Sequence, residues 1–317
     1  MRGIGIRQYG GIEQLTEIDL PTRDLGPDDL RISIKASGVN PVDWKVRDGL
    51  LKADFPFKLP MILGWDAAGT VSAVGANVQH FQVGDDVFFR PELEREGTYA
   101  DEIVVPAKIV ANMPKGLTYA ESASIPLVGL TVWQALVEVG QVQAGDQVLV
   151  LGGSGGIGSM AIQIAKARGA YVATTTSSKN REYVRELGAD EVLAYDLGAL
   201  HTTTKFTFML DTLGGEAYGE ALKFMKQKGK VATIISERDA KRPDYVDALE
   251  KERDLSVTFV FTRPDGQNMD RIRELVEAGK VKPFLTEVYP LTVEGVRNAH
   301  LSSQTRRVRG KIVLVHS

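Results

Sequence analysis

Gln147-Val-Leu-Val-Leu-Gly-Gly-Ser-Gly-Gly-Ile-Gly158 joins an apolar run to a glycine-rich turn, and a helical pattern follows at once. The run Gln147–Leu151 is rich in valine and leucine and lacks helical spacing. It reads as a strand buried on both faces of a parallel sheet. Gly153-Ser-Gly-Gly-Ile-Gly158 fits G-x-G-x-x-G, and Ser159–Arg168 continues as a helix until Gly169. In this setting the glycines have three jobs: a tight turn, close backbone approach to a pyrophosphate, and close helix–strand packing. The helix's first unbonded N–H groups and its dipole favour the phosphates of a dinucleotide. The competing reading is a glycine-rich turn without a ligand; the strand before it and the helix after it weigh against that.

Downstream, strand and helix patterns alternate. Tyr171–Thr175, Glu191–Tyr195, Phe206–Asp211, Lys230–Ile235 and Ser256–Phe261 read as strands, with Lys179–Leu187 and Glu216–Met225 as helices between them. Such alternation predicts a doubly wound parallel sheet covered by helices on both faces. Upstream the texture differs. Leu30-Arg-Ile-Ser-Ile-Lys-Ala36 alternates in period two, and Gly69–Gly75, Asp86–Phe89 and Thr98–Val105 are further short strands punctuated by Gly and Pro. That pattern predicts a barrel-like antiparallel domain. Tyr119–Ser124, with Thr118 as N-cap, and Leu130–Val139 carry helical spacing. The closing segment, with a helix at Met269–Ala278 and strands at Leu285–Tyr289 and Lys311–Val315, is expected to rejoin the first domain.

At 317 residues the chain is long enough for two domains. Its apolar (43%) and charged (25%) fractions are those of an ordinary globular protein, and its net charge of −3 argues against nucleic acid or an anionic membrane as partner. With no cysteine, disulfides, thiolate zinc sites and cysteine nucleophiles are excluded. His80, His201, His300 and His316 are scattered, none at a metal-ligand spacing, so no metal site is expected. No run approaches a bilayer span and the first residues lack a signal-peptide core, which makes cytoplasm the expected compartment.

A reader of NAD places Asp or Glu about 20 residues past the glycines to bind the ribose 2′-hydroxyl. Here the stretch is Ala173-Thr-Thr-Thr-Ser-Ser-Lys-Asn-Arg181, with no acid until Glu182. The hydroxyls of Thr175 and Ser177, with Lys179 and Arg181, suit a 2′-phosphate and predict NADPH. The other reading is a solvated helix start.

Short motifs now accumulate in order along nearly the whole chain: Gly38-Val-Asn-Pro-Val-Asp-Trp-Lys45, Leu63-Gly-Trp-Asp-Ala-Ala-Gly-Thr-Val71, Val83-Gly-Asp-Asp-Val87, Gly97-Thr-Tyr-Ala-Asp-Glu102, Leu127-Val-Gly-Leu-Thr-Val-Trp133, Leu187-Gly-Ala-Asp190, Asp211-Thr-Leu-Gly-Gly215 and Gly310-Lys-Ile-Val313. Together they resemble the medium-chain dehydrogenase/reductase superfamily, in its zinc-free quinone-oxidoreductase branch. The resemblance implies an α/β protein in which a Rossmann domain (121–263) is inserted in a GroES-like β-barrel domain (1–120 and 264–317). It also implies an active-site cleft between the two and a homodimer paired through strands such as Ser256–Phe261.

The departures carry information too. Where zinc-dependent relatives have a cysteine ligand after Gly-Val, this chain has Asn40; their Gly-His-Glu is Gly64-Trp65-Asp66, and only the short loop Pro91–Gly97 stands in the region of their cysteine-rich lobe. Without Zn²⁺ as Lewis acid, simple alcohols and ketones are disfavoured. An acceptor already electrophilic enough to take hydride fits better, either a quinone or an α,β-unsaturated carbonyl. The protein then has to hold donor and acceptor in register and supply donors where charge develops.

By resemblance, Asn40 lies beside the nicotinamide ribose and its amide donates to the developing oxyanion; its alternative is a turn residue before Pro41. Lys45 would donate as a cation or pass a proton, or else is an exposed charge on a short helix. Thr131 would lie near the nicotinamide, or bond back to its own helix. Gly153, Ser154, Gly155, Gly156 and Ile157 would meet the pyrophosphate, and Lys179 and Tyr195 the 2′-phosphate, although Tyr195 also suits the core at a strand end. Leu213, Phe259 and Phe261 would line the nicotinamide side. Trp44, Trp65, Phe88 and Phe89 would wall an apolar pocket for a flat ring, with core packing at least an equal alternative for each. Asp43 and Asp66 read as structural.

The leading expectation is therefore an NADPH-dependent quinone reductase. An NADPH-dependent 2-alkenal or enone reductase is its close rival, and a non-catalytic NADPH-binding sensor an alternative from another class. A short-chain dehydrogenase is set aside, because no tyrosine has lysine four residues later.

Overall fold

A computed structural model describes residues 1–236 and 241–316. The chain divides into two compact units. One comprises 1–130, 263–277 and 283–317, the other 131–262 and 278–282. The first boundary falls inside the helix Pro126–Trp133. Residues 278–282 go with the second unit, where Gln163 donates to the Lys282 carbonyl at 3.1 Å and accepts its N–H at 2.8 Å.

In the second unit six strands form one sheet in the spatial order Glu191–Ala194, Tyr171–Thr176, Gln147–Val150, Phe206–Asp211, Met225–Thr233, Ser256–Phe259. Every pairing is parallel. Numbered along the chain this is the 3-2-1-4-5-6 order of a doubly wound dinucleotide fold, whose direction reverses beside Gln147–Val150. The two middle strands, Gln147–Val150 and Phe206–Asp211, are largely apolar and buried, whereas Met225–Thr233 and the edge strand Ser256–Phe259 expose much of their length. Leu149, Ala173, Phe206 and Met209 pack with Tyr218, Ala221 and Leu222 of the helix Gly215–Leu222.

In the first unit the strand Asp29–Val39 is central, pairing antiparallel with Ala67–Val74, Glu102–Pro106 and Lys311–Val315. Its alternation is physical: Leu30, Ile32 and Ile34 point into the core while Arg31 and Ser33 are half-buried. The final strand runs beside it with Ile312 opposite Val39 and Val313 opposite Gly38, which brings Lys311 to Asn40. Ala67–Val74 pairs with Ser37 opposite Ala67 and puts Asp66 at the same end.

Several elements differ from the sequence-based expectation. The helix begun at Pro126 changes at Gln134 to a π-turn through Val139, with the Gly140 N–H on the Ala135 carbonyl at 2.9 Å. The expected helix Glu216–Met225 stops at Leu222, and the next strand already begins at Met225. The strand expected at Thr98–Val105 is Glu102–Pro106, and that at Ser256–Phe261 stops at Phe259. Helices at Val246–Glu252 and Val293–Gln304 had no clear apolar stripe to announce them.

Candidate functional site

The turn after Gln147–Val150 leads directly into the helix Gly156–Ala167, with Gly155 as N-cap. Its glycines separate by what a side chain would meet. A Cβ on Gly153 would stand 2.0 Å from Thr174 Oγ1, and one on Gly158 2.2 Å from the Gly152 carbonyl oxygen; both are packing glycines. A Cβ on Gly155 meets only the Gly152 oxygen, at 3.6 Å. Gly155 has φ −77° and ψ 173°, which any residue adopts, so neither backbone strain nor internal packing requires glycine there. The space in front of it, at a helix N-terminus, is a cradle that a side chain would fill, and it suits a pyrophosphate.

Thr175 ties the neighbouring strand to this turn: its Oγ1 accepts the Gly152 N–H at 3.0 Å and its carbonyl the Gly153 N–H at 2.9 Å. Ser154 and Ser177 are bridged by Asn180, whose amide donates to their hydroxyls at 3.1 and 3.3 Å. Asn180 was not among the expected site residues; its place becomes visible only once the turn and the next strand are side by side. Lys179 is exposed on the same short turn, and Tyr195 is 57% exposed, so of its two readings the core one fails. The structure also supplies an acid here. Asp196 accepts from the Ser178 N–H at 2.7 Å and Oγ at 2.8 Å, and these bonds hold its carboxyl below the ordinary range. The strip is therefore not purely basic, as the absence of an acid before Glu182 had suggested.

Leu213, Phe259 and Phe261, at the carboxyl-terminal edge of the same sheet, are 46%, 49% and 52% exposed. Leu213 packs beside the glycine turn, its Cδ2 3.3 Å from where a Gly152 Cβ would lie. Thr131 is buried with its hydroxyl 2.6 Å from that of Thr262.

In the first unit, Asn40 caps the helix Pro41–Arg47, its N–H donating to Asp43 Oδ2 at 2.8 Å. Its amide is 1% exposed and held at both ends, Nδ2 donating to Asp66 Oδ2 at 2.8 Å and Oδ1 accepting from the Lys311 ammonium. Lys311 also donates to the Val39 carbonyl at 2.9 Å and lies 3.7 Å from Asp66 Oδ2. Asp66 Oδ1 accepts the Leu127 N–H at 2.7 Å. Burial raises Asp66 to about 6 against the opposing pull of Lys311. Burial pulls the Lys311 ammonium down, while Asp66 and Asp43 hold it up.

A second chain of contacts runs from Asp43. Tyr99 donates to Asp43 Oδ2 at 2.6 Å, His300 Nε2 lies 3.4 Å from the Tyr99 oxygen, and Arg47 lies 3.2 Å from His300 Nδ1. Burial, then Arg47, lowers His300 to about 3, leaving it neutral; an arginine donating to Nδ1 puts the ring proton on Nε2. Burial raises Asp43 to about 7, and its Oδ1 has no hydrogen-bond partner among the described residues. The folded protein therefore binds the Asp43 proton more tightly than the unfolded chain does. Between about pH 4 and 7 this contribution favours folding most at the acid end and is lost as pH rises through the folded value. The unfolding free energy of wild type relative to Asp43→Asn should thus decline from pH 4.5 to 7.5; a pH-independent difference would refute this assignment.

Lys45 is half-buried on the helix Pro41–Arg47. Trp44 is almost buried, donating to Ser303 Oγ at 3.3 Å, while Trp65 and Phe88 have no exposed surface. Trp65 packs among Ile4, Leu63 and Tyr99 in the barrel core and so is not a pocket wall in this conformation. Sequence reading missed Lys311, Tyr99 and His300. The signal for Lys311 was a cation opening the otherwise apolar strand Lys311–Val315. Among the described residues no group of His, Asp and Glu is arranged to hold a metal ion, and no helix is long and apolar enough to cross a membrane.

Comparison with known proteins agrees with this architecture. Residues 26–115 match the family described as alcohol dehydrogenase GroES-like domain, and 187–314 the family described as zinc-binding dehydrogenase. The chain is 33% identical to the NAD(P)H oxidoreductase RTN4IP1, mitochondrial, of Mus musculus, over 91% of this chain and 82% of that protein. It is also 33% identical to the chloroplastic NADPH-dependent alkenal/one oxidoreductase of Arabidopsis thaliana, over 96% of this chain and 77% of that one. The solved quinone oxidoreductase of Coxiella burnetii superimposes with a TM-score of 0.88 at 27% identity, covering 100% of this chain and 99% of its own.

Proposed function

Because the chain belongs to the medium-chain dehydrogenase/reductase superfamily, in its zinc-free quinone-oxidoreductase branch, and is an NAD(P)H-dependent oxidoreductase, we propose that it reduces quinones with NADPH. The observation that carries the cofactor site is the open cradle before Gly155, on a helix N-terminus where the strand order reverses. When bound, the dihydronicotinamide supplies a hydride. The chain's own groups bind and orient: the N–H groups of Ser154–Ile157 take the pyrophosphate, and Lys179, Tyr195, Thr175 and Ser177 the ribose phosphate. Thr131, Leu213, Phe259 and Phe261 flank the nicotinamide. Asn40 donates to the acceptor oxygen as charge develops, with Lys45 as cation or proton carrier. With its Oδ1 on Lys311 and one N–H on Asp66, the Asn40 amide has one remaining N–H for that task.

An alkenal or enone reductase is the second reading, supported by the similarity to the Arabidopsis enzyme. NADPH oxidation assayed with a naphthoquinone, an alkenal and a cyclic enone separates the two. Turnover of the enones alone would reverse the ranking, and NADPH binding without turnover of any acceptor would favour a sensor. NADPH over NADH is proposed on the exposed Lys179 and Tyr195, with both oxygens of Asp196 already engaged by Ser178. Lys179→Ala should raise KM for NADPH about tenfold or more, the value of one hydrogen bond to a charged group, and leave KM for NADH nearly unchanged. An equal rise for both would exclude a 2′-phosphate contact. We also propose a cytoplasmic homodimer, paired through the edge strand Ser256–Phe259; cell fractionation and light scattering test the two parts.

A further inference from the structure

We propose that Lys311 is a positioning residue for the reduction, holding the Asn40 carboxamide in the one orientation that leaves an N–H to donate. The inference rests on the functional reading above and adds a residue to it.

The two ends of an asparagine amide are nearly the same size, so packing alone does not decide which end carries the donors. Here chemistry decides. The Lys311 ammonium has only donors and faces Oδ1, while the ionised Asp66 carboxylate only accepts and faces Nδ2. A flipped amide would set N–H against ammonium and oxygen against carboxylate, losing both bonds. Asn40, Asp66 and Lys311 are each at most 6% exposed, so little water is present to take either place. The backbone is pinned as well, by the Asn40 N–H on Asp43 and by Lys311 on the Val39 carbonyl. A cation on Oδ1 also polarises the amide, which strengthens its remaining N–H as a donor.

Stability alone does not call for a lysine here. It opens a strand whose other residues are Ile312, Val313, Leu314 and Val315, and replacing a buried ion pair by apolar residues is often neutral or stabilising. What an apolar residue would not provide is the fixed direction of the amide.

The test is a double-mutant cycle of Lys311→Met and Asn40→Ala in the full chain, with the acceptor that wild type reduces. Each single variant is expected to lower kcat about ten- to a hundredfold, with the NADPH dissociation constant, read by tryptophan fluorescence, within about twofold of wild type. The double variant should be no slower than Asn40→Ala by more than about threefold, because Lys311 acts through the amide that is already gone. Lys311→Arg should restore part of the rate. In the free protein, the Asn40 side-chain ¹⁵N–¹H signals, identified by their loss in Asn40→Ala, should shift in Lys311→Met. Should Lys311→Met fail to fold, the pair Asp66→Asn with Lys311→Met removes both charges at once and carries the same expectation. Wild-type kcat in folded Lys311→Met, or single effects that multiply in the double variant, overturns the inference alone. A wild-type chain that reduces neither quinones nor enones overturns the functional reading and this inference with it.

Discussion

Gly155→Val is expected to abolish NADPH binding while leaving the fold intact. At Gly155 the backbone lies in the extended region that valine favours, and a Cβ there touches nothing closer than 3.6 Å. The valine methyls would occupy the cradle at the N-terminus of Gly156–Ala167 and keep the pyrophosphate from its N–H groups. Losing two charge-assisted hydrogen bonds of about 1.5–3 kcal/mol each corresponds to a hundredfold or greater weakening. Gly153→Ala and Gly158→Ala should behave differently, losing stability first, because their Cβ atoms would collide at 2.0 and 2.2 Å with Thr174 Oγ1 and the Gly152 carbonyl. Isothermal titration with NADPH beside a thermal melt distinguishes the two outcomes. A Gly155→Val protein that binds NADPH as wild type does would remove the dinucleotide from this turn.

Asp66→Ala is expected to destabilise the protein by about 3–5 kcal/mol, because it leaves the buried Lys311 ammonium without its carboxylate. The Leu127 N–H and one Asn40 N–H lose their acceptor in the same step. Against a total stability of about 5–15 kcal/mol this is a large share. Asp66→Leu combined with Lys311→Met should recover most of it, since no buried charge is then unpaired. Urea unfolding at neutral pH reads both. A loss below about 1 kcal/mol for Asp66→Ala would mean that Lys311 finds another partner or water.

The contrast between these two sites explains what was legible in the sequence. The glycine turn is local: strand, turn and helix follow one another from Gln147 to Ala167, so the motif is visible in the chain even though Gly153 also packs against Thr174 of the next strand. The network under Asn40 is non-local. Lys311 lies 271 residues away and Tyr99 56 residues from Asp43, so only sheet register brings them together. Asp196 meets Ser178 from the short turn Tyr195–Leu197 that follows the neighbouring strand, placed there by the pairing of Glu191–Ala194 with Tyr171–Thr176. The helix Val293–Gln304 buries Gly295, Val296, Ala299 and His300, a stripe too small and too polar to show as periodic hydrophobicity. Trp65 and Phe88 show the converse limit. An aromatic beside a family motif reads equally as pocket or core, and only burial separates the two.

The most direct measurement is a crystal structure with NADPH bound. The expected result is a pyrophosphate seated on the N–H groups of Ser154–Ile157 in front of Gly155, with Lys179 and Tyr195 at the 2′-phosphate. A nucleotide lodged elsewhere, or one whose phosphates never approach that helix N-terminus, would contradict the account.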